Sequence, residues 1–205
     1  MAVEITKIDP AHREVAFSRC REVISRGGVI AYPTDTFYGL GADPKNPVAL
    51  RRLYEIKGRR ADQPILILIA RATDVKKWTA EISPASEDLM RKFWPGPLTL
   101  VFKARADVLL ELTAGTGTIG IRVPGCELTR SLLDFLGIAL TGTSANVSGG
   151  SSPQTAEEAA ASLGDAVDLI LDGGRTAGGR PSTVVDVSTG LPSVLREGVL
   201  ALNLK

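Results

Sequence analysis

The chain has one histidine, His12, and two cysteines, Cys20 and Cys126, in 205 residues. A single imidazole and two widely separated thiols cannot assemble an ordinary zinc site, whose ligands recur as closely spaced pairs. The same shortage removes Ser-His-Asp and Cys-His catalysis, because His12 sits in the first helix, outside any plausible triad order. No G-K-[ST] occurs, so the Walker phosphate loop is absent. No apolar run approaches the roughly 20 residues of a membrane helix, and MAVEITKIDP carries no signal-like apolar stretch. Charge of one sign is also missing: 24 Lys+Arg stand against 23 Asp+Glu, too balanced to coat a nucleic acid without a local basic patch. The expectation is a cytoplasmic protein with no membrane partner, no zinc and no NAD, whose cysteines are buried thiols.

What is present suits a globular chain. Apolar residues make up 44% and charged residues 23%, enough to bury a core. No repeat, linker or low-complexity tract appears, so residues 1–205 are expected to form a single domain. Val3 to Ile8 alternates like a strand, and Asp9-Pro10 opens a helix carrying Ala16, Cys20, Val23 and Ile24 on one face. Val29 to Tyr32 is a buried strand closed by Pro33. Asn46-Pro47 starts a helix that ends at Gly58. PILILIA (64–70) is a buried strand, and Ser83-Pro84 begins another helix. LTLVFKA and TIGIRVP are strands, Leu128, Leu132 and Leu136 mark a helix, and IALTG follows as a strand. Thr155 and Glu158 form a capping box. VDLILD, STVVDVS and PSVLRE close the chain as strands. Alternation predicts an α/β fold, and the closing strands predict antiparallel pairings within a mixed sheet.

Two motifs fail in context. GTGTIG (115–120) matches a dinucleotide fingerprint but leads into a strand instead of a helix. GTSAN (142–146) half resembles a nucleophile elbow, yet Asn146 stands where that turn needs glycine.

Four loops rich in Gly, Ser and Thr remain, at 33–43, 113–120, 142–153 and 173–182. Most lie at or near strand ends, where α/β sheets bind ligands. Near them lie Lys57, Arg59, Arg122 and Arg196. Backbone donors, hydroxyls and spaced cations with few carboxylates suit a phosphate-rich ligand. Each element also has a structural reading. Lys57 and Arg59 could face a helix dipole, and Asp35 could be an Asx turn or a ligand. Arg122, within an apolar strand, either faces solvent or answers a buried anion. Trp78 and Trp94 fit helix-to-sheet packing better than base stacking.

GGVIAYPTDTFYGLGAD, YEIKGRRADQPILILIA, WPGPLTLVF, TIGIRVP, TGTSANVSG and PSTVVDVS with VLREG run in order from residue 27 to 198. Together they resemble the YrdC-like family of L-threonylcarbamoyladenylate synthases. The resemblance implies a concave α/β fold: a twisted mixed parallel/antiparallel sheet flanked by helices around a central, positively charged cavity. It implies formation of threonylcarbamoyl-AMP and pyrophosphate from L-threonine, bicarbonate and ATP. A downstream transferase complex would use that product on tRNA, and tRNA or double-stranded RNA is an implied partner. By position, Lys57 and Arg59 would grip the ATP phosphates. Gln63, Thr118, Ser144, Asn146, Ser152 and Arg196 would complete the ATP site. Thr36, Arg122, Gly142 and Ser182 would hold threonine, Arg122 through a bidentate pair with its carboxylate. Mg2+ is expected to accompany the phosphates, with no protein ligand identified. Arg60 and Leu68 depart from residues common in the family, Pro and His. The rival readings are an RNA-binding or ribosome-maturation module without catalysis, and a synthase of a different carbamoyl adenylate.

Overall fold

The computed structural model describes residues 3–9, 13–60 and 62–203. Pro10, expected to open the first helix, and His12 lie outside the described residues. In chain order the strands are β1 Glu4–Lys7, β2 Ile30–Tyr32, β3 Gly39–Gly41, β4 Ile67–Leu68, β5 Leu98–Lys103, β6 Thr118–Arg122, β7 Leu140–Thr141, β8 Thr143–Ser144, β9 Leu169–Asp172, β10 Thr183–Asp186 and β11 Ser193–Arg196. The α-helices are α1 Arg13–Ser25, α2 Pro47–Lys57, α3 Pro84–Phe93, α4 Leu110–Thr113, α5 Glu127–Leu136 and α6 Ala156–Leu163.

Local signals set most helix ends. Asn46 accepts from the N–H groups of Val48 and Ala49, at 3.0 and 3.2 Å, and Pro47 occupies the first turn of α2. Gly58, at φ +55, terminates that helix in the left-handed region, a conformation costly for other residues. Ser83 caps α3 and Thr155 caps α6. The capping box at α6 is slipped by one residue, because the Glu158 carboxylate accepts from Gln154 N, not Thr155 N. Cys20 is fully buried in α1, whereas Cys126 is half-buried at the start of α5, where the sequence pattern had placed it inside the helix.

The strands form two mixed sheets, one ordered β1-β9-β2-β3-β8 and the other β11-β10-β5-β6-β4-β7. The mixed pairing anticipated from the sequence is present, but distributed differently. β9 lies parallel to both β1 and β2, β10 lies parallel to β5, and of the closing strands only β10 and β11 pair antiparallel. The reason is topological: residues 173–182 carry the chain from one sheet to the other, so a short connection does not make a hairpin. The segment after Pro33, expected within a Gly-, Ser- and Thr-rich loop at 33–43, returns as β3 and pairs antiparallel with β2. The 3-10 turn at Ala72–Lys77 also has no counterpart in the sequence pattern. Trp78 and Trp94 both lie in the core, and Trp94 Nε1 donates to Leu98 O at 2.7 Å.

β7 and β8 are separated by Gly142 alone, yet they belong to different sheets. Gly142 N donates to Leu66 O at 2.9 Å, which draws the crossing against β4. A Cβ at Gly142 would lie 2.6 Å from Leu66 Cδ1 and 2.9 Å from Leu68 Cγ, so the approach requires glycine.

Candidate functional site

A cavity of about 850 Å³ lies between the two sheets and takes its lining from both. All twelve residues singled out in the sequence line it: Thr36, Lys57, Arg59, Gln63, Thr118, Arg122, Gly142, Ser144, Asn146, Ser152, Ser182 and Arg196. Strand periodicity explains much of this convergence. Along β6, Thr118, Gly120 and Arg122 face the cavity, while Ile119 and Ile121 are in the core. On β5 the same alternation sends Thr99 and Val101 inward and leaves Leu98, Leu100 and Phe102 in the core. Four cations line the cavity against one carboxylate, Asp62, which pairs with Arg60 at 2.8 Å. The balanced net charge therefore hides a local cationic concentration.

Lys57, the last residue of α2, is 3% exposed. Its ammonium donates to Ser144 O at 2.6 Å and Asn146 O at 2.7 Å, with Asn146 Oδ1 at 3.2 Å and Ser144 Oγ at 3.4 Å. Three N–H donors are thus engaged by one loop. Ser144 Oγ in turn donates to Asn146 Oδ1 at 2.5 Å. Burial, followed by the nearby Arg59 charge, pulls the Lys57 ammonium down to about 8. Lys57 therefore shapes the Ser144–Asn146 loop directly, a role its place in the sequence did not suggest.

Gly58 turns the chain so that Arg59 also enters the cavity. Arg59 Nη2 donates to Pro64 O at 2.9 Å and Nη1 to Thr143 Oγ1 at 3.3 Å. Arg59 Nε is buried and has no hydrogen-bond partner among the described residues. Desolvation lowers the pKa of this guanidinium, and no carboxylate pairs with it among the described residues. A buried donor without a partner, on a guanidinium with no carboxylate partner, is a costly arrangement for the chain to keep.

Arg122 is 4% exposed, which settles the choice between solvent and a buried anion. The anion inside the chain is Asp35: its Oδ1 and Arg122 Nη2 are in contact as an ion pair without hydrogen-bond alignment. Arg122 Nε donates to Gly96 O at 2.9 Å, and Nη1 lies 3.4 Å from Thr36 Oγ1. All three guanidinium nitrogens have a contact, so the two-pronged grip expected of Arg122 has only Nη1, on its long bond to Thr36 Oγ1, left to offer. Thr36 is held in turn by Thr34, whose Oγ1 lies 3.1 Å from Thr36 Oγ1 and accepts from Thr36 N at 3.2 Å.

Arg196, on β11, donates through Nη2 to Ser182 O at 2.8 Å and to Ser182 Oγ at 3.2 Å. Ser182 Oγ lies 3.0 Å from Thr99 Oγ1. Desolvation, then the Arg122 charge, lowers the pKa of Arg196. Thr118 Oγ1 lies 2.9 Å from Thr116 Oγ1. Thr99 and Thr143 escaped the sequence reading, although Thr99 is the polar residue of LTLVF and its register already pointed away from the core. Asp35 was noticed without a partner, because Arg122 lies far along the chain.

The arrangement defines a class: a mixed α/β protein with an open cavity lined by four cations between its two sheets. The Sua5/YciO/YrdC family profile, described as "Telomere recombination", matches residues 22–198, and the chain belongs to this family. A threonylcarbamoyl-AMP synthase of Thiobacillus denitrificans is 40% identical over 178 residues, covering 87% of this chain and 94% of the relative. One of Pyrococcus abyssi is 38% identical over 179 residues, covering 87% of this chain and 53% of the relative. The chain thus spans about half the length of the Pyrococcus abyssi and Bacillus subtilis relatives it matches. Among solved structures, P. abyssi Sua5 complexed with L-threonine superposes with TM-score 0.90 at 34% identity, over 98% of this chain and 58% of that one. E. coli YciO superposes with TM-score 0.88 at 28% identity, over 98% of both chains. No helix among the described residues is long and apolar enough to cross a membrane.

Proposed function

We propose that the chain is an L-threonylcarbamoyl-AMP synthase, using L-threonine, bicarbonate and ATP. The observation that carries this reading is the convergence of twelve residues from separate sequence blocks on one cavity with four cations. The curated relatives and the threonine complex of P. abyssi Sua5 support the choice of reaction.

In this reading Arg59 and Arg196 oppose charge on the triphosphate, Lys57 adds its charge from beneath the loop, and Ser144 and Asn146 present polar atoms to the nucleotide. Gln63, Thr118 and Ser152 complete that side. Threonine lies towards Thr36, Arg122, Gly142 and Ser182, with its carboxylate on Arg122 Nη1. Its amine adds to bicarbonate with loss of water, giving a carbamate. A carbamate oxygen attacks the α-phosphorus of ATP, the bond to the β-phosphate oxygen breaks, and pyrophosphate leaves. The step depends on alignment and on charge neutralisation more than on a side-chain base. That is consistent with a cavity lined by hydroxyls and cations. Mg2+ would accompany the ATP phosphates as part of the substrate and would help neutralise their charge.

The product would feed a threonylcarbamoyl transferase complex acting on tRNA in the cytoplasm. Mass spectrometry of the product from ATP, bicarbonate and threonine, with serine as control, tests the reading. Threonylcarbamoyl-AMP above the serine background is the expected outcome. Failure to release pyrophosphate in a threonine-dependent manner would overturn it.

A further inference from the structure

Arg122 is placed by three fixed contacts, and one of them carries charge. Its side chain is 5% exposed and that of Asp35 is 17% exposed. Asp35 Oδ1 and Arg122 Nη2 are both buried, and neither has a hydrogen-bond partner among the described residues. Each atom therefore depends on the other for its electrostatic balance. Asp35 itself does not line the cavity, while Arg122 and Thr36 do. Its carboxylate packs against Gly125, where a Cβ would lie 3.0 Å from Asp35 Oδ2 and 3.4 Å from Asp35 Cβ. A Cβ at position 125 would make the carboxylate give by a few tenths of an ångström.

Two consequences follow for the cavity. With Nε held by Gly96 O and Nη2 by Asp35, rotation of the guanidinium is blocked and Nη1 stays beside Thr36 Oγ1. The Asp35–Arg122 pair is also close to neutral as a unit. Arg59 and Lys57, by contrast, have no carboxylate partner among the described residues. Arg196, bonded to Ser182 and within the field of Arg122, also has no carboxylate partner among the described residues. The contrast is therefore between one neutralised pair and three unneutralised cations: a polyanion favours the cations, and a small zwitterion suits the pair.

We propose that Asp35 is a positioning residue, acting only through Arg122, that dedicates this end of the cavity to an amino-acid carboxylate and keeps phosphate groups at the other end. The inference rests on the synthase reading above and names a residue outside the set that reading uses.

The test is steady-state pyrophosphate release by the full chain with ATP, bicarbonate and threonine. Asp35→Asn, which keeps the size of the side chain, should raise the threonine KM at least tenfold. The kcat at saturating threonine should stay within about threefold, and the ATP KM within about twofold. A defect in folding alone would not split the two substrates in this way. Because Asp35→Asn leaves Arg122 without its counter-charge, Arg122→Gln and the double variant Asp35→Asn/Arg122→Gln are measured as well. The double variant contains no orphaned charge, and its threonine KM should equal that of Arg122→Gln within about twofold, since Asp35 has nothing left to position. Three results would overturn the proposal: an unchanged threonine KM in Asp35→Asn, a parallel rise in the ATP KM, or full multiplication of the two single effects. Loss of the synthase reading would show separately, as a wild-type chain that releases no pyrophosphate with threonine, and the proposal would fall with it.

Discussion

Lys57 Nζ lies 2.6 Å from the carbonyl oxygen of Ser144 and 2.7 Å from that of Asn146. A buried ammonium thus fastens the end of α2 to the loop after β8, two segments nearly ninety positions apart. The cation is part of the wall it charges. On the proposed reading, its effect on a nucleotide would combine the field of one positive charge with the shape of the loop it holds.

The first prediction concerns pH. Burial lowers the Lys57 pKa from 10.5 to about 8, so the folded chain gives up this proton while the unfolded chain still holds it. Between about pH 8 and 10.5 the unfolded state binds more protons, and this group's contribution to stability rises with pH. In the folded chain, the charge offered to a polyanion is lost as pH rises through about 8. Nucleotide affinity should therefore fall as pH rises through about 8, with no matching loss of thermal stability from this group. Titration calorimetry with a non-hydrolysable ATP analogue from pH 6.5 to 9.5 checks this, and Lys57→Arg should abolish the dependence near pH 8. A pH-independent affinity in the wild type would refute it.

Arg59 has no carboxylate partner among the described residues, and its Nε lacks any partner there. Arg59→Ala should cost roughly 2–4 kcal/mol of transition-state stabilisation, the usual loss for one preorganised donor. The expected reading is a drop of roughly 30- to 1,000-fold in kcat/KM for ATP. Arg59→Lys should recover only part of it, because an ammonium cannot reproduce the planar fork on Pro64 O and Thr143 Oγ1. Wild-type rates in Arg59→Ala would remove this residue from the phosphate site.

At the sheet crossing, Gly142→Ala places a methyl 2.6 Å from Leu66 Cδ1 and 2.9 Å from Leu68 Cγ. Overpacking of this kind costs about 1–3 kcal/mol. Chemical denaturation should show that loss, and Leu66→Ala in the same chain should relieve part of it. If the two substitutions destabilise additively, the close approach is not the cause.

Thr99 Oγ1 and Ser182 Oγ lie 3.0 Å apart across β5 and the start of β10. Thr99→Val keeps the shape and removes one hydrogen bond, with a loss of about 1 kcal/mol. The threonine KM should rise about fivefold while the ATP KM holds. Equal effects on both substrates would place Ser182 outside the threonine end.

Local chemistry wrote several features plainly. Asn46-Pro47 and Gly58 bound α2, and TIGIR alternates so that Arg122 must face away from Ile119 and Ile121. Those are properties of neighbouring residues, set by caps, φ preferences and a two-residue period, and the chain order carries them. The family blocks likewise named residues that line the cavity, because each block keeps its cavity-facing side chains together. The membership of β9 and β10 in different sheets was not available in this way. Short connections are ambiguous between a hairpin and a crossing until the partners compete for edges.

The amino-acid order alone therefore determined which residues would be polar on an otherwise apolar strand, and where helices would stop. The tertiary structure alone decided what those polar groups meet. Asp35 and Arg122 are 87 positions apart, and so are Lys57 and Ser144. A charge buried in a medium of low polarity takes its pKa and its free donors from whichever atoms lie within a few ångströms, and that neighbourhood comes into being only when the two sheets close on each other.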